Sequence, residues 1–392
     1  MTPRDTKKTA KYLRLTGAAL TVILLFLFLP GCADSVDINE KLIATSLAFD
    51  VKDGKIWFYS EIANIETGKT SESSGSQKNK YIVIKGYGDT LIEARDNLDT
   101  QFEKPLYLSG AIALIFTENF AKEYLLEYLY RFKVDETYRK KGLTVITRED
   151  PEELFKGAHE ESNAVGLLVE GIIETLEARG KTFTRTTARL LENLSSDYTG
   201  FLIPCIGLRH GVVALTGYSV LNGPTIDGFI PSEEAIGTVY LKGKMTKFNF
   251  RIPYNNINFT IEVKLNNRIV KPSYKNGRAS FDVKMKCKAE ILYGDIKTPY
   301  NLEKKAFKEL TEIVRNMLKE EFMRAIERAQ TEFECDYLEF DDEFRTRYPA
   351  VFEKIDWRQT FISAEVNMEV EVKLSSRWGV GVTARMNLGE VS

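Results

Sequence analysis

The chain has 392 residues, 43% of them hydrophobic and 28% charged, enough apolar material for a real core and a length that suggests two or three domains. Lys and Arg total 54 against 56 acidic residues, a formal charge of -2, so no strong field of either sign points to nucleic acid or acidic polymers as partners. Only two histidines occur, His159 and His210, far apart in sequence, which counts against a His-based metal centre or a Ser-His-Asp mechanism.

The first 32 residues are of a different character. Arg4, Lys7, Lys8, Lys11 and Arg14 form a basic leader, followed by an uncharged apolar run from Gly17 to Leu29. That run is short for a membrane span, which needs roughly 20 residues, and suits the core of a signal peptide. It ends in Leu29-Pro30-Gly31-Cys32, which resembles a lipobox. The resemblance implies a diacylglyceryl group on the Cys32 sulfur and removal of residues 1–31. Pro30 departs from the small or β-branched residue usual there. An uncleaved N-terminal anchor with an incidental cysteine is the alternative, and on either reading the body is expected on the outer face of a membrane. Cys205, Cys287 and Cys335 are an odd, widely spaced set without a C-x-x-C, a poor disulfide framework or zinc site.

An N-terminal α/β domain is expected over residues 32–197. Leu42 to Asp50 and Ile56 to Ile62 read as strands joined by an Asp53-Gly54 hairpin turn. Thr67 to Lys80 is a polar loop, Tyr81 to Lys85 a short strand, and Asp89 the cap of a helix running to about Phe102. Leu106 to Phe116 is an apolar strand, and Thr117 caps a helix through Phe132. Leu143 to Thr147 is a strand, Asp150-Pro151-Glu152 opens a helix, and further helices are expected at 161–178 and 184–195. Residues 198–250, punctuated by Gly207, Gly217, Asn222-Gly223-Pro224, Gly228, Gly237 and Gly243, predict short strands in a small β-rich middle domain.

Residues 251–392 carry the clearest pattern. Phe259, Ile261, Val263 and Leu265 alternate with polar residues, as do Phe281, Val283, Met285, Cys287, Ala289 and Ile291 after Asn276-Gly277. Val366, Met368, Val370, Val372 and Leu374 do the same in the last strand, so an antiparallel sheet with one wet face is predicted. Leu302, Ala306, Leu310, Ile313, Val314, Met317, Leu318, Phe322, Ala325, Ile326 and Ala329 form a helical stripe to cover its dry face. The polar side of that helix offers the opposite-sign pairs Lys308 with Glu312 and Glu320 with Arg324. The fold class is therefore α+β, multi-domain and mixed.

In this order the segments resemble the Ger(x)C family, the lipoprotein C subunits of nutrient germinant receptors in spore-forming bacteria. The likeness is carried by Ile38 to Asp50, by Leu106-Tyr107-Leu108-Ser109-Gly110 with Ile115-Phe116-Thr117-Glu118 and Ala121, and by Asn258 to Leu265 with Arg268 to Pro272. It is closest at Asp341 to Tyr348 and Asp356-Trp357-Arg358 with Phe361. The family often has Trp-Asp and a basic pair soon after the lipid cysteine, where this chain has Ala33-Asp34-Ser35-Val36. The resemblance implies a three-domain body on the outer side of the spore inner membrane, lipidated at Cys32. It also implies integral-membrane A-type and B-type receptor subunits as partners, and no reaction or cofactor of its own.

The remaining candidates for chemistry are weak. Lys85-Gly86-Tyr87-Gly88-Asp89 lacks the third glycine of a dinucleotide fingerprint, Leu91 standing in its place, and reads as a strand-to-helix turn. Gly180-Lys181-Thr182 ends like a phosphate-binding loop, but Thr175 occupies the position of its first glycine. Asp341-Asp342-Glu343 reads as a solvated face or helix start rather than a set of metal or glycosidase carboxylates. His159 and His210 have no ligand-spaced neighbours, and surface or turn roles are expected. Trp357 and Phe361, four apart, read as a core pair before the last strand rather than an exposed partner contact. The body is expected not to be an enzyme. A lipid-anchored substrate-binding protein of an importer is the alternative function.

Overall fold

The computed structural model describes residues 40–63, 80–134, 138, 141–160, 163–184, 186–193, 200–223, 225–243, 245–294 and 304–376. Cys32, the leader and nearly all of the polar loop expected before Tyr81 lie outside them. The unit that begins at Leu42 opens with β1 (Leu42–Lys52) and β2 (Lys55–Ala63), an antiparallel pair. Asp53 and Gly54 between them take φ of 52° and 70°, the left-handed pair that a two-residue type I′ turn requires. β3 (Tyr81–Gly88) pairs with β2, and α1 (Leu91–Asp99) folds back against it. Gly86 and Gly88 permit that approach, because a Cβ on Gly86 would overlap the Ala94 carbonyl and one on Gly88 the Glu93 side chain. Thr90 caps α1 in place of Asp89: its hydroxyl accepts from Glu93 N at 3.2 Å, and the Glu93 carboxylate accepts from Asp89 N at 2.9 Å.

The apolar segment Leu106 to Phe116 is two strands, not one. β4 (Leu106–Tyr107) gives way to a 3-10 turn at Leu108–Gly110 before β5 (Ala113–Thr117). The Thr117 hydroxyl then accepts from Phe120 N at 3.2 Å and starts α2 (Glu118–Val134). β6 (Leu143–Thr147) is followed by α3 (Pro151–Glu160), α4 (Val165–Ala178) and α5 (Thr187–Asn193). β7 (Phe201–Arg209), β8 (Val212–Asn222) and β9 (Thr225–Pro231) complete a sheet of order β3-β2-β1-β5-β6-β7-β8-β9, with β4 beside β1. β1, β5, β6 and β7 run parallel, and the outer pairs are antiparallel. Phe49, Phe58 and Phe116 pack on one face with Leu98 of α1 and Phe120 and Tyr128 of α2. Ala48, Tyr59 and Ile115 pack on the other with Leu154 of α3 and Val165 and Val169 of α4. With both faces covered, β5 and β6 are buried at every position and show no alternation.

Residues 198–250 do not make a sheet of their own. β7 continues the first sheet through Ile146↔Cys205 and Thr147↔Ile206, and β8 and β9 follow as its antiparallel edge. The next segment is a helix, α6 (Ile236–Lys242), where the glycines predicted turns. Gly237 lies inside α6, and a Cβ there would overlap the Glu321 carbonyl, so it serves a close helix contact rather than a turn.

The second sheet has the order β10 (Lys247–Tyr254), β11 (Ile257–Lys275), β12 (Arg278–Gly294) and β13 (Glu365–Ser376). β10, β11 and β12 are antiparallel, as expected, and Asn276 and Gly277 form the β11–β12 turn with φ of 51° and 79°. β13 pairs with β12 in parallel, because α7 (Lys304–Glu327) and the segments after it carry the chain back across the sheet. Leu310, Val314, Leu318, Phe322 and Ile326 of α7 are buried in one core with Phe281, Val283, Met285 and Cys287, each such side chain contributing about 1.5–3 kcal/mol. Ile313 is an exposed exception, and Leu302 lies outside the described residues. The expected pairs on the polar side re-form with nearer partners: Glu312 pairs with Arg315, and Arg324 with Glu321 at 2.8 Å. After a π-helical turn at Arg328–Glu332 come α8 (Phe340–Arg347), α9 (Pro349–Phe352) and α10 (Trp357–Ile362). Trp357 and Phe361 are fully buried in the core, against Phe281, Phe340 and Phe344.

Candidate functional site

Lipidation at Cys32 falls outside the described residues, so the groupings that the structure brings together are those of the body. Burial pushes the thiols of Cys205, Cys287 and Cys335 up to about 12, which keeps them neutral, and all three are unbridged. Among the described residues no group of three or more His, Cys, Asp or Glu is placed to hold a metal, and no helix is long and apolar enough to cross a membrane. Gly180-Lys181-Thr182 follows the end of α4. Gly180, at φ 67°, donates to Glu177 O at 2.8 Å and Lys181 N to Leu176 O at 2.7 Å, the two bonds of a Schellman motif. His210 sits in the β7–β8 turn at φ 55°.

His159 belongs to a buried polar cluster. The Glu61 side chain on β2 is 0% exposed, and its Oε2 accepts from the hydroxyls of Thr45 at 2.6 Å and Ser46 at 2.7 Å. Its Oε1 accepts from Val165 N at 2.9 Å and lies 2.9 Å from His159 Nε2. Val165 begins α4, whose N-cap residue Ala164 makes no side-chain cap bond, so Glu61 caps this helix from the sheet and places a carboxylate at its positive end. The cluster joins β1, β2, α3 and α4. Ser46 donates to Glu61 rather than to His159, so the trio is not a nucleophile with its base.

A second cluster lies under α8. Asp336 is fully buried and accepts from Leu338 N and Phe340 N at 3.2 Å, Asp341 N at 2.8 Å and Trp357 Nε1 at 3.2 Å. Beside it, the nearly buried Lys242 ammonium donates to Tyr337 O and pairs with Glu339, each at 2.7 Å. The Asp341-Asp342-Glu343 run is a helix start, as expected, but its first member is buried. Burial, with the Asp336 and Asp342 charges nearby, raises the Asp341 carboxyl from 3.8 to about 8. Between these values the folded chain holds a proton on Asp341 that the unfolded chain has released, so this group's contribution to stability falls as pH rises from about 4 to about 8. Asp341→Asn is expected to fold and to lose that component. Its thermal midpoint should approach or exceed that of the parent at pH 8 relative to pH 5, because each unit of displacement is worth about 1.4 kcal/mol. Equal pH slopes for the two proteins would contradict this.

A trough of about 800 Å3 is lined by Leu168, Ile172 and Leu176 of α4, Leu215 of β8, Ile236 of α6 and Phe248 of β10. Lys181 lies at its edge with its ammonium 4.0 Å from the centre of the Phe248 ring, and Arg209 at its rim pairs with Glu233 at 2.7 Å. Neither the trough nor the Glu61 cluster has a signature in sequence spacing, since the first draws on segments from Leu167 to Phe248 and the second joins residues 104 apart.

Two domain families match the chain in succession: the spore germination protein N-terminal domain over residues 34–208, and the spore germination B3/GerAC-like C-terminal domain over residues 216–377. Spore germination protein B3 of Bacillus subtilis (strain 168) is 19% identical over 366 residues, spanning 91% of this chain and 96% of that protein. Spore germination protein A3 of the same organism is 21% identical, spanning 90% and 95%. The crystal structure of the GerBC protein superposes with a TM-score of 0.55 at 14% identity, over 84% of this chain and 96% of that one, and shows the same fold. With both domains matched in order, the chain belongs to the Ger(x)C family of spore germination proteins.

Proposed function

We propose that this protein is a lipid-anchored, non-catalytic subunit of a spore nutrient germinant receptor, held on the outer face of the spore inner membrane. It acts with integral-membrane A-type and B-type subunits to trigger germination. The observation that carries the reading is the ordered pair of germination domains, the first starting at residue 34, two residues after the lipobox cysteine Cys32. An importer's binding protein would have two comparable doubly wound lobes around a cleft. One large mixed sheet followed by a four-stranded sheet does not favour that layout.

Cys32→Ala tests the reading directly. The protein should leave the membrane fraction, since firm anchoring needs the added acyl chains, and spores carrying it should lose their response to one nutrient. Unchanged germination with every nutrient would count decisively against the receptor role.

A further inference from the structure

The helix α4 is apolar on two sides, one turned into the core and the other only half-covered by the chain itself. Val169 and Ile173 point into the core of the first sheet. Leu168, Ile172 and Leu176 recur every fourth residue along the trough, and Leu167 beside them is 45% exposed. Such a helix is normally covered on both sides.

Two glycines in α4 separate what the fold needs from what it does not. A Cβ on Gly166 would overlap the Thr45 carbonyl, so the packing of α4 on β1 demands it. A Cβ on Gly171 would meet nothing within 4 Å. Glycine in a helix interior is among the poorest of helix formers, and nothing in the described residues calls for it here. It leaves a notch in the wall of the trough, at the level where another backbone can approach closely.

Charge narrows the occupant. Arg209 and Glu233 satisfy each other at the rim. Lys181, half-buried against Phe248, has no carboxylate in pairing distance among the described residues, since nearby Glu262 pairs with Lys247 at 3.0 Å; burial and the Lys247 charge lower its pKa, against a smaller opposing effect of Glu262. A carboxylate arriving from outside would relieve both effects. The trough is also open along its length, so a small nutrient would stay largely wet in it, whereas bound small ligands are usually enclosed.

We propose that this trough seats an amphipathic helix of a partner polypeptide, apolar on one face, packed over Gly171 and carrying a carboxylate that meets Lys181. The proposal deepens the receptor reading and rests on it in one respect, that the partner is a membrane-embedded receptor subunit.

The test places a benzophenone photo-cross-linker at position 167 of the full-length, membrane-attached protein, with position 293 on β12 as control. The expected adduct is specific to position 167 and maps to a peptide with apolar residues at i, i+3/i+4 spacing and an acidic residue among them. Gly171→Leu should fill the notch and cut the adduct roughly tenfold, while raising the thermal midpoint of the protein, since leucine is the better helix former. Lys181→Glu should cut it as well, through like-charge repulsion. No adduct, an adduct with phospholipid, with a second copy of this chain or with an extended peptide, or an adduct undiminished by Gly171→Leu would each overturn the proposal. A helical adduct from a protein outside any germinant receptor would keep the seat and refute the receptor reading instead.

Discussion

Glu61→Ala is expected to lower stability by about 3–5 kcal/mol, read as a fall in the urea midpoint. The carboxylate is the acceptor for Thr45, Ser46 and Val165 N and the neighbour of His159, all at 2.6–2.9 Å. Alanine leaves those donors in a site closed to water, and each unsatisfied buried group costs about 1–3 kcal/mol. The first turn of α4 also loses its cap. Glu61→Gln retains one carbonyl acceptor and should lose about half as much. If alanine costs under about 1 kcal/mol, the cluster is not what fixes α4 to the sheet.

Trp357→Ala should be as damaging, at about 3–5 kcal/mol. The indole is 0% exposed and contacts the rings of Phe344 at 5.1 Å, Phe352 at 5.3 Å and Phe361 at 6.4 Å. Truncation opens a cavity in the core and strips Asp336 of its only side-chain donor among the four bonds it accepts. Trp357→Phe separates the two effects: most of the packing remains and only the N–H is lost, for about 1–2 kcal/mol. A phenylalanine variant as unstable as the alanine variant would assign the whole cost to the hydrogen bond.

Local chemistry made much of this fold legible. Asp53-Gly54 and Asn276-Gly277 are the hairpin turns that their sequences announce, and the alternation of Phe281 to Ile291 matches a strand with one buried face. The core role of Trp357 and Phe361 followed from their spacing. The errors have equally local causes. Gly237 and Gly243 read as turn residues, although Gly237 is a packing residue of α6 and only the surroundings, supplied by α7, distinguish the two. His159 looked isolated because its partner Glu61 is 98 residues away. Period-two patterning gives the face of a strand but not its direction, so it could not tell that β13 lies parallel to β12. The trough was illegible for the same reason as the Glu61 cluster, because its walls meet only in three dimensions.

The placement of β13 has a consequence for biosynthesis. Every rung between β12 and β13 joins residues 85 apart in the chain, and a chain that emerges N-terminus first must deliver that whole interval before β13 can dock. Throughout it, β12 presents a long bare flank on which the strand of another nascent molecule could be templated. Yield should therefore be most sensitive to crowding of emerging chains in this window, rather than while the earlier sheet is forming.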